Sequence, residues 1–330
     1  MILHPLIIAL LASSLAVGFM ILYASWFGIR ILRRWDLASG SELQLRLERR
    51  TYLVSTLLAY LFGIQLISLF LFIYTVDRLH SFFVGAMCAA GTLNVNAFGY
   101  PVLLLKIASF FMAGLWLILN HVDNRAYDYP LIKTKFKFLL FIAPVIVVEA
   151  VLQALFFLRL EPAIITSCCG SLFSAGGGTV ASSLASLPAV PMEIAYALSV
   201  ALIAATGIIF FRTGRLGWLL ALGSGAGFVI SVLALLSFIS VYIYELPTHH
   251  CPFCVLQKEY GHVGYPLYMA LLGAGIAGVG VGMLLPFRKI PSLSGIVPPV
   301  QKKLALVAVV LTLAFAAIAL AEILFSGLAL

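Results

Sequence analysis

The chain has 330 residues, 63% of them hydrophobic and only 10% charged, with a net charge of +8. Soluble domains are roughly 45–50% apolar and about 25% charged, so a water-soluble fold, which could not hide this much apolar surface, is excluded. A membrane β-barrel is excluded as well, because its strands are short and alternate in polarity whereas these apolar runs are long and uninterrupted.

In chain order the runs fall at 6–29, 52–76, 101–120, 138–158, 190–211, 217–244, 265–287 and 304–328. Each reaches the roughly 20 residues that a helix needs to cross hydrocarbon. The expectation is an all-α, polytopic membrane helical bundle of about eight transmembrane helices. Met1-Ile-Leu-His-Pro precedes the first run without a basic residue, so that run reads as an uncleaved helix entering from outside.

The basic residues explain the net charge. Arg30, Arg33, Arg34, Arg46, Arg49 and Arg50 follow the first run, and Arg125, Lys133, Lys135 and Lys137 lie between the third and fourth. Arg212 and Arg215 separate the fifth from the sixth, and Arg288, Lys289, Lys302 and Lys303 join the seventh to the eighth. Sixteen of the 20 basic residues thus sit in alternate loops. By the positive-inside rule those loops are cytoplasmic and both termini lie outside, in a cell membrane of the prokaryotic inner-membrane kind. Topology accounts for the charge, and no nucleic-acid partner is implied.

The remaining loops, 77–100, 161–189 and 246–264, carry Cys88, Cys168, Cys169, Cys251 and Cys254, together with His80, His249, His250 and His262. All five cysteines therefore share one face, the extracytoplasmic one. Two of these loops align: Cys88-Ala-Ala-Gly-Thr-Leu-Asn94 with Cys251-Pro-Phe-Cys-Val-Leu-Gln257, each running on into Gly-Tyr-Pro at Gly99-Tyr100-Pro101 and Gly264-Tyr265-Pro266. The similarity predicts a duplicated four-helix unit in parallel orientation. Residues 1–160 form the first repeat, 161–189 a long outer loop and 190–330 the second repeat. Gly273, Gly275, Gly278, Gly280 and Gly282 match a dinucleotide fingerprint in spacing only; in an apolar helix they mean close packing, with Gly223, Gly225 and Gly227 as the expected partner surface. Gly176-Gly177-Gly178 suggests a tightly packed cap in the long loop.

His249-His250-Cys251-Pro252-Phe253-Cys254 carries the densest chemistry. Proline suits the first position of a helix, which would set Cys251 near an N-cap, where the helix dipole and the imidazoles favour thiolate. Cys254, a turn later, would resolve a mixed disulfide, with Lys258 adding positive potential. Cys168 and Cys169 are adjacent, so a bridge between them would be strained; the expected arrangements are pairing of one with Cys88, or both meeting the Cys251/Cys254 site. The same atoms suit metal. Cys251, Cys254, His262 and one of His249 or His250 would form a tetrahedral zinc set, and the thiolates alone would suit Cu(I).

Cys251-Pro-Phe-Cys254-Val-Leu-Gln257-Lys258 resembles the Cys-x-x-Cys-x-x-Gln-Arg segment of the DsbB family, membrane proteins that pass electrons from periplasmic thiols to quinone. The resemblance covers eight residues and has Lys258 where arginine is usual. It implies that Cys251 and Cys254 are a redox pair close to a quinone, with Gln257 and Lys258 beside the quinone head.

Within the membrane, Glu149 is an acid near the middle of the fourth helix, a candidate proton carrier or cofactor contact, with Gln153 one turn on. Lys106 is placed to pair with an acid or to meet a quinone. Three functions follow as expectations. One is a thiol/disulfide oxidoreductase or electron relay acting on an extracytoplasmic thiol or redox protein. Another is a Cu or Zn binding or transport protein. The last is a non-catalytic membrane subunit that docks a soluble redox partner.

Overall fold

A computed structural model describes residues 3–36, 39, 41–161, 164–166 and 187–328, and among these the regular structure is helical with no strand. Eight helical spans are long and apolar enough to cross a membrane: Pro5–Arg34, Glu42–Phe82, Gly99–Asp123, Ile132–Leu158, Ala189–Thr213, Gly217–Tyr244, Gly264–Lys289 and Val297–Phe325. The chain is an all-α, multi-pass membrane protein. Large side chains such as Phe19, Tyr60, Ile67 and Leu222 are exposed on the spans, the surface that lipid covers.

The helices are α1 (Pro5–Arg34), α2 (Glu42–Leu79), α3 (Ala89–Leu93), α4 (Gly99–Asp123), α5 (Ile132–Leu158), α6 (Ala189–Thr213), α7 (Gly217–Ala234), α8 (Ser240–Tyr244), α9 (Gly264–Leu284) and α10 (Val297–Phe325). Their ends follow local chemistry. Pro5 occupies the first turn of α1, where its missing N–H costs nothing, and Arg33 and Arg34 close the last turn, where cations suit the dipole. Gly214 ends α6 in the left-handed conformation that only glycine adopts cheaply. Both Gly-Tyr-Pro segments begin a helix at their glycine, α4 at Gly99 and α9 at Gly264. At 38 residues α2 is about 57 Å long, well beyond the roughly 30 Å of hydrocarbon, so its charged first turns around Arg46, Arg49 and Arg50 project past the membrane core.

Two compact units divide the chain. The first comprises Met1–Thr75, Asn96–Glu161 and Phe287–Val297; the second comprises Val76–Val95, Pro162–Pro286 and Pro298–Leu330. The outer segment carrying Cys88 therefore belongs with the later helices.

In the second unit small residues let the helices approach closely. A Cβ on Gly278 of α9 would stand 2.0 Å from the Ser224 Oγ of α7, and one on Gly282 would stand 2.4 Å from Ala221. Gly278 and Gly282 thus receive Ser224 and Ala221, and of the α7 glycines expected opposite α9 it is Gly225 that faces it, where a Cβ would stand 3.9 Å from Val279 Cγ2. Gly223 and Gly227 face α6 instead, where Ile203 fills the space over Gly227. The serine and glycine positions alternate around α7, which lets one helix contact two neighbours. Residues Leu235–Ile239 form a π-helical turn that joins α7 to α8.

In the first unit several buried polar side chains pair across helices. Glu149 of α5 is 2% exposed and accepts from Lys106 Nζ at 2.8 Å, from Ser109 Oγ at 2.5 Å and from Gln65 Nε2 at 2.8 and 2.9 Å. Lys106 also donates to Ser68 Oγ at 3.3 Å, so α2, α4 and α5 share one polar knot. Lys106, expected to pair with an acid or to meet a quinone, forms an ion pair with Glu149. A second pair, Lys135 with Asp123 at 2.7 Å, pins the α4–α5 turn, and Asp123 also accepts the Leu131 amide at 2.8 Å. Gln153 donates to Ser14 Oγ at 2.8 Å and to the Leu10 carbonyl at 3.2 Å, tying α5 to α1.

An ion pair in this setting is held by mutual compensation. Glu149→Ala should therefore lower stability by about 3–5 kcal/mol, because Lys106 is left buried without its counter-charge, whereas Lys106→Met combined with Glu149→Met should recover most of the loss. Unfolding midpoints of the detergent-solubilised variants measure both; a Glu149→Ala protein as stable as the parent would contradict the assignment.

Candidate functional site

The loop after α8 is shaped by phenols and a proline. Tyr244 OH donates to the Cys251 carbonyl at 2.5 Å, and Tyr268 OH donates to the Pro252 carbonyl at 2.5 Å. With those carbonyls turned toward hydroxyls, no helix starts at Cys251. The chain instead enters a 3-10 turn, Cys254–Leu256, whose N-cap is Phe253. The expectation that Cys251 stands at a helix N-cap is thus corrected, and the dipole argument for its thiolate falls away. Gly264 permits α9 to start against this turn, since a Cβ there would meet Val255 Cγ2 at 2.6 Å.

Cys88 precedes α3 in extended conformation, φ −157° and ψ −174°. Upstream, Gly85 takes φ +86°, and a Cβ there would stand 2.4 Å from the Thr166 carbonyl oxygen, so the bend requires glycine. Thr166 Oγ1 donates to the Gly91 carbonyl at 2.8 Å and holds the far side of the segment.

These two loops bring Cys88, Cys251 and Cys254 into one group whose sulfurs all lie within 4.8 Å of one another. Cys88 Sγ and Cys251 Sγ are 3.6 Å apart, well beyond the roughly 2.05 Å of a disulfide. Cys88 and Cys251 are 0% exposed and Cys254 is 5% exposed. His249 Nε2 borders the triangle at 3.4 Å from Cys254 Sγ, and its ring stands edge-on to Tyr244 at 4.6 Å. Tyr260 also packs edge-on against the Tyr244 ring, at 4.7 Å. Burial holds the His249 pKa below its usual value and favours neutral imidazole; the Cys88 thiol opposes that shift and His250 reinforces it. Burial raises the Tyr260 pKa, with the Cys254, Glu259 and Cys251 charges adding to it.

The backbone on either side of Cys88 is fixed by Gln257 of the opposite loop and by Asp77 near the end of α2. Gln257 Nε2 donates to the Met87 carbonyl at 2.7 Å, and Asp77 Oδ1 accepts the Ala89 amide at 3.2 Å. Gln257 also reaches Asp77 Oδ1 at 3.5 Å, which closes a latch around the cysteine. His80 Nδ1 bonds the Asp77 carbonyl and secures the end of α2.

The other residues singled out from the sequence lie elsewhere. His250 donates from Nδ1 to the Leu236 carbonyl in the π-helical turn at 2.9 Å, and His262 donates from Nδ1 to the Leu256 carbonyl at 2.6 Å from an exposed position. Neither imidazole joins the sulfurs. Lys258 is exposed, Gln257 serves the latch, and Glu149 belongs to the ion pair of the first unit. Cys168, Cys169 and Gly176 to Gly178 lie outside the described residues. Asp77, Tyr244 and Tyr268 went unnoticed in the sequence: each acts through a backbone group, and residue type alone does not signal that. Gln257 was visible only as a motif position.

No protein-family model, curated protein or solved structure matches this chain.

Breaking the latch should loosen Cys88 without touching a sulfur. A hydrogen bond of this kind contributes about 1–1.5 kcal/mol, so Gln257→Ala should speed labelling of Cys88 by a small maleimide on the order of tenfold through more frequent local opening. Glu259→Ala, on the exposed side of the same loop, should leave the rate unchanged. Equal rates for Gln257→Ala and the parent, read by mass spectrometry of the Cys88 peptide, would show that the latch does not hold the cysteine.

Proposed function

We propose that this protein is a membrane-embedded soft-metal binding protein, with Cys88, Cys251 and Cys254 as the core of its thiolate centre. One observation carries the reading: three buried sulfurs from two loops 163 positions apart converge within 4.8 Å of one another. Thiolates select Zn(II) and Cu(I) over the hard, oxygen-loving cations, and a bare ion can enter a pocket that a protein substrate cannot. Reactive exchange cysteines, by contrast, sit in partly exposed surroundings. The alternation of these loops with the basic ones supports an extracytoplasmic position for the centre, in a membrane that we read as of the prokaryotic inner-membrane kind.

A second reading rests on the 3.6 Å between Cys88 and Cys251. Modest side-chain rotation would bring them to bonding distance, so that the pair gives up two electrons and two protons to an acceptor such as an extracytoplasmic disulfide or a quinone. This is a thiol/disulfide relay on a different pair from the Cys251/Cys254 pair that the resemblance implies, and the burial of the sulfurs weighs against it as the main activity.

Protein purified with its thiols reduced should carry about one zinc or copper per chain, measured by elemental mass spectrometry. Cys88→Ser, Cys251→Ser and Cys254→Ser should each lower the affinity by more than about 100-fold, since even outer-shell partners of a metal are worth 10–100-fold. Metal well below one per chain in the reduced parent protein would overturn the reading. A Cys88–Cys251 disulfide that forms and reopens under mild thiol buffers would favour the relay.

A further inference from the structure

We infer that His249 supplies a fourth ligand through Nε2, so that the centre is a tetrahedral Cys₃His site for a divalent ion of the zinc class rather than a three-sulfur site for Cu(I). This rests on the metal reading above and deepens it.

The first argument is one of distance. In a tetrahedral zinc site with Zn–S of about 2.3 Å and Zn–N of about 2.0–2.1 Å, two sulfurs lie about 3.8 Å apart, and a sulfur and a nitrogen about 3.6 Å. The observed edges, 3.6 Å from Cys88 to Cys251 and 3.4 Å from Cys254 to His249 Nε2, are close to those two values. They are opposite edges of one tetrahedron and share no atom. The three sulfurs already lie within 4.8 Å of one another, whereas His249 Nε2 is beyond that distance from at least one of them, so metal binding would require the imidazole to swing toward the Cys88–Cys251 edge.

Charge gives the second argument. A divalent ion with three thiolates and a neutral imidazole carries a net charge of −1, whereas Cu(I) with three thiolates carries −2. The desolvation cost of a buried ion grows with the square of its charge, so the less charged assembly suits this pocket better.

Preorganisation is the third. His249 is held edge-on by Tyr244, the same residue whose hydroxyl binds the Cys251 carbonyl, so one side chain orients two of the ligands. Among the described residues His249 is the imidazole with a hydrogen-bond-range contact to one of these sulfurs, whereas His250 and His262 bond the Leu236 and Leu256 carbonyls.

The test uses the full-length protein in detergent, reduced, stripped of metal and titrated with Co(II) as a spectroscopic probe for zinc. Sulfur-to-cobalt charge-transfer intensity reports the number of thiolates, and the ligand-field bands move when nitrogen replaces sulfur. The parent should bind one Co(II) with a three-thiolate, one-nitrogen tetrahedral spectrum that zinc displaces. His249→Ala should weaken binding on the order of tenfold or more and shift the ligand-field bands while keeping the three-thiolate intensity. His249→Cys should restore tight binding with a four-thiolate spectrum, which a merely structural role of His249 would not produce, and His262→Ala should leave the spectrum unchanged. If the His249→Ala spectrum matches the parent's, or if it is a Cys168→Ser/Cys169→Ser double variant that loses the fourth ligand, the inference fails and the three-sulfur centre stands. No Co(II), zinc or Cu(I) binding by the reduced parent would instead remove the metal reading itself.

Discussion

Three thiols in one water-poor pocket impose a constraint that the surrounding loops are built to meet. Sulfurs this close are unfavourable as unshared thiolates, so they must remain protonated, share an ion or become a disulfide. The pocket is kept in shape from outside it. Tyr244 and Tyr268 hold the carbonyls of Cys251 and Pro252, Gln257 and Asp77 hold the peptide groups on either side of Cys88, and Thr166 braces Gly91. None of these partners is a sulfur, yet each decides where a sulfur points. That division between ligands and the groups that orient them is what a metal centre requires.

The helical framework explains why such a centre can be assembled from short loops. Two loop segments are each fixed at both ends by rigid spans, and Gly-Tyr-Pro restarts the chain as a helix at Gly99 and at Gly264. The glycine at 264 lets α9 start directly against the turn that carries Cys254. Little conformational entropy remains in the loops, so a few hydrogen bonds suffice to define the pocket. The ion pairs of the first unit do a comparable job, and Glu149 and Lys106 bind three helices together.

Much of this was legible in the sequence, for reasons that differ by element. All eight spans are visible because hydrocarbon thickness sets a minimum apolar length, whereas their ends are less so: the second begins at Glu42, ten residues before its apolar run, because a helix can continue through charged turns outside the hydrocarbon. The grouping of cysteines on one face follows from loop alternation. The alignment of the Cys88 loop with the Cys251 loop pairs two residues whose sulfurs are in fact 3.6 Å apart. What sequence spacing misplaced was local geometry. Proline after Cys251 suggested a helix start, but two tyrosine hydroxyls from elsewhere in the chain take the carbonyls that a helix would use. His262 looked like a ligand by proximity in sequence; a left-handed backbone, φ +56°, and the Leu256 carbonyl turn it away. Asp77 and Gln257 act across 180 positions, a relation that no local pattern encodes.

The central claim is that sulfurs from both loops meet at one ion, and X-ray absorption at the zinc edge of the metal-loaded protein reads it directly. The account predicts a first shell of three sulfurs at about 2.3 Å and one nitrogen at about 2.0–2.1 Å. In Cys88→Ser the shell should lose one sulfur while the Cys251 and Cys254 pair remains. A shell of oxygen and nitrogen alone, or a sulfur count that Cys88→Ser leaves unchanged, would contradict it.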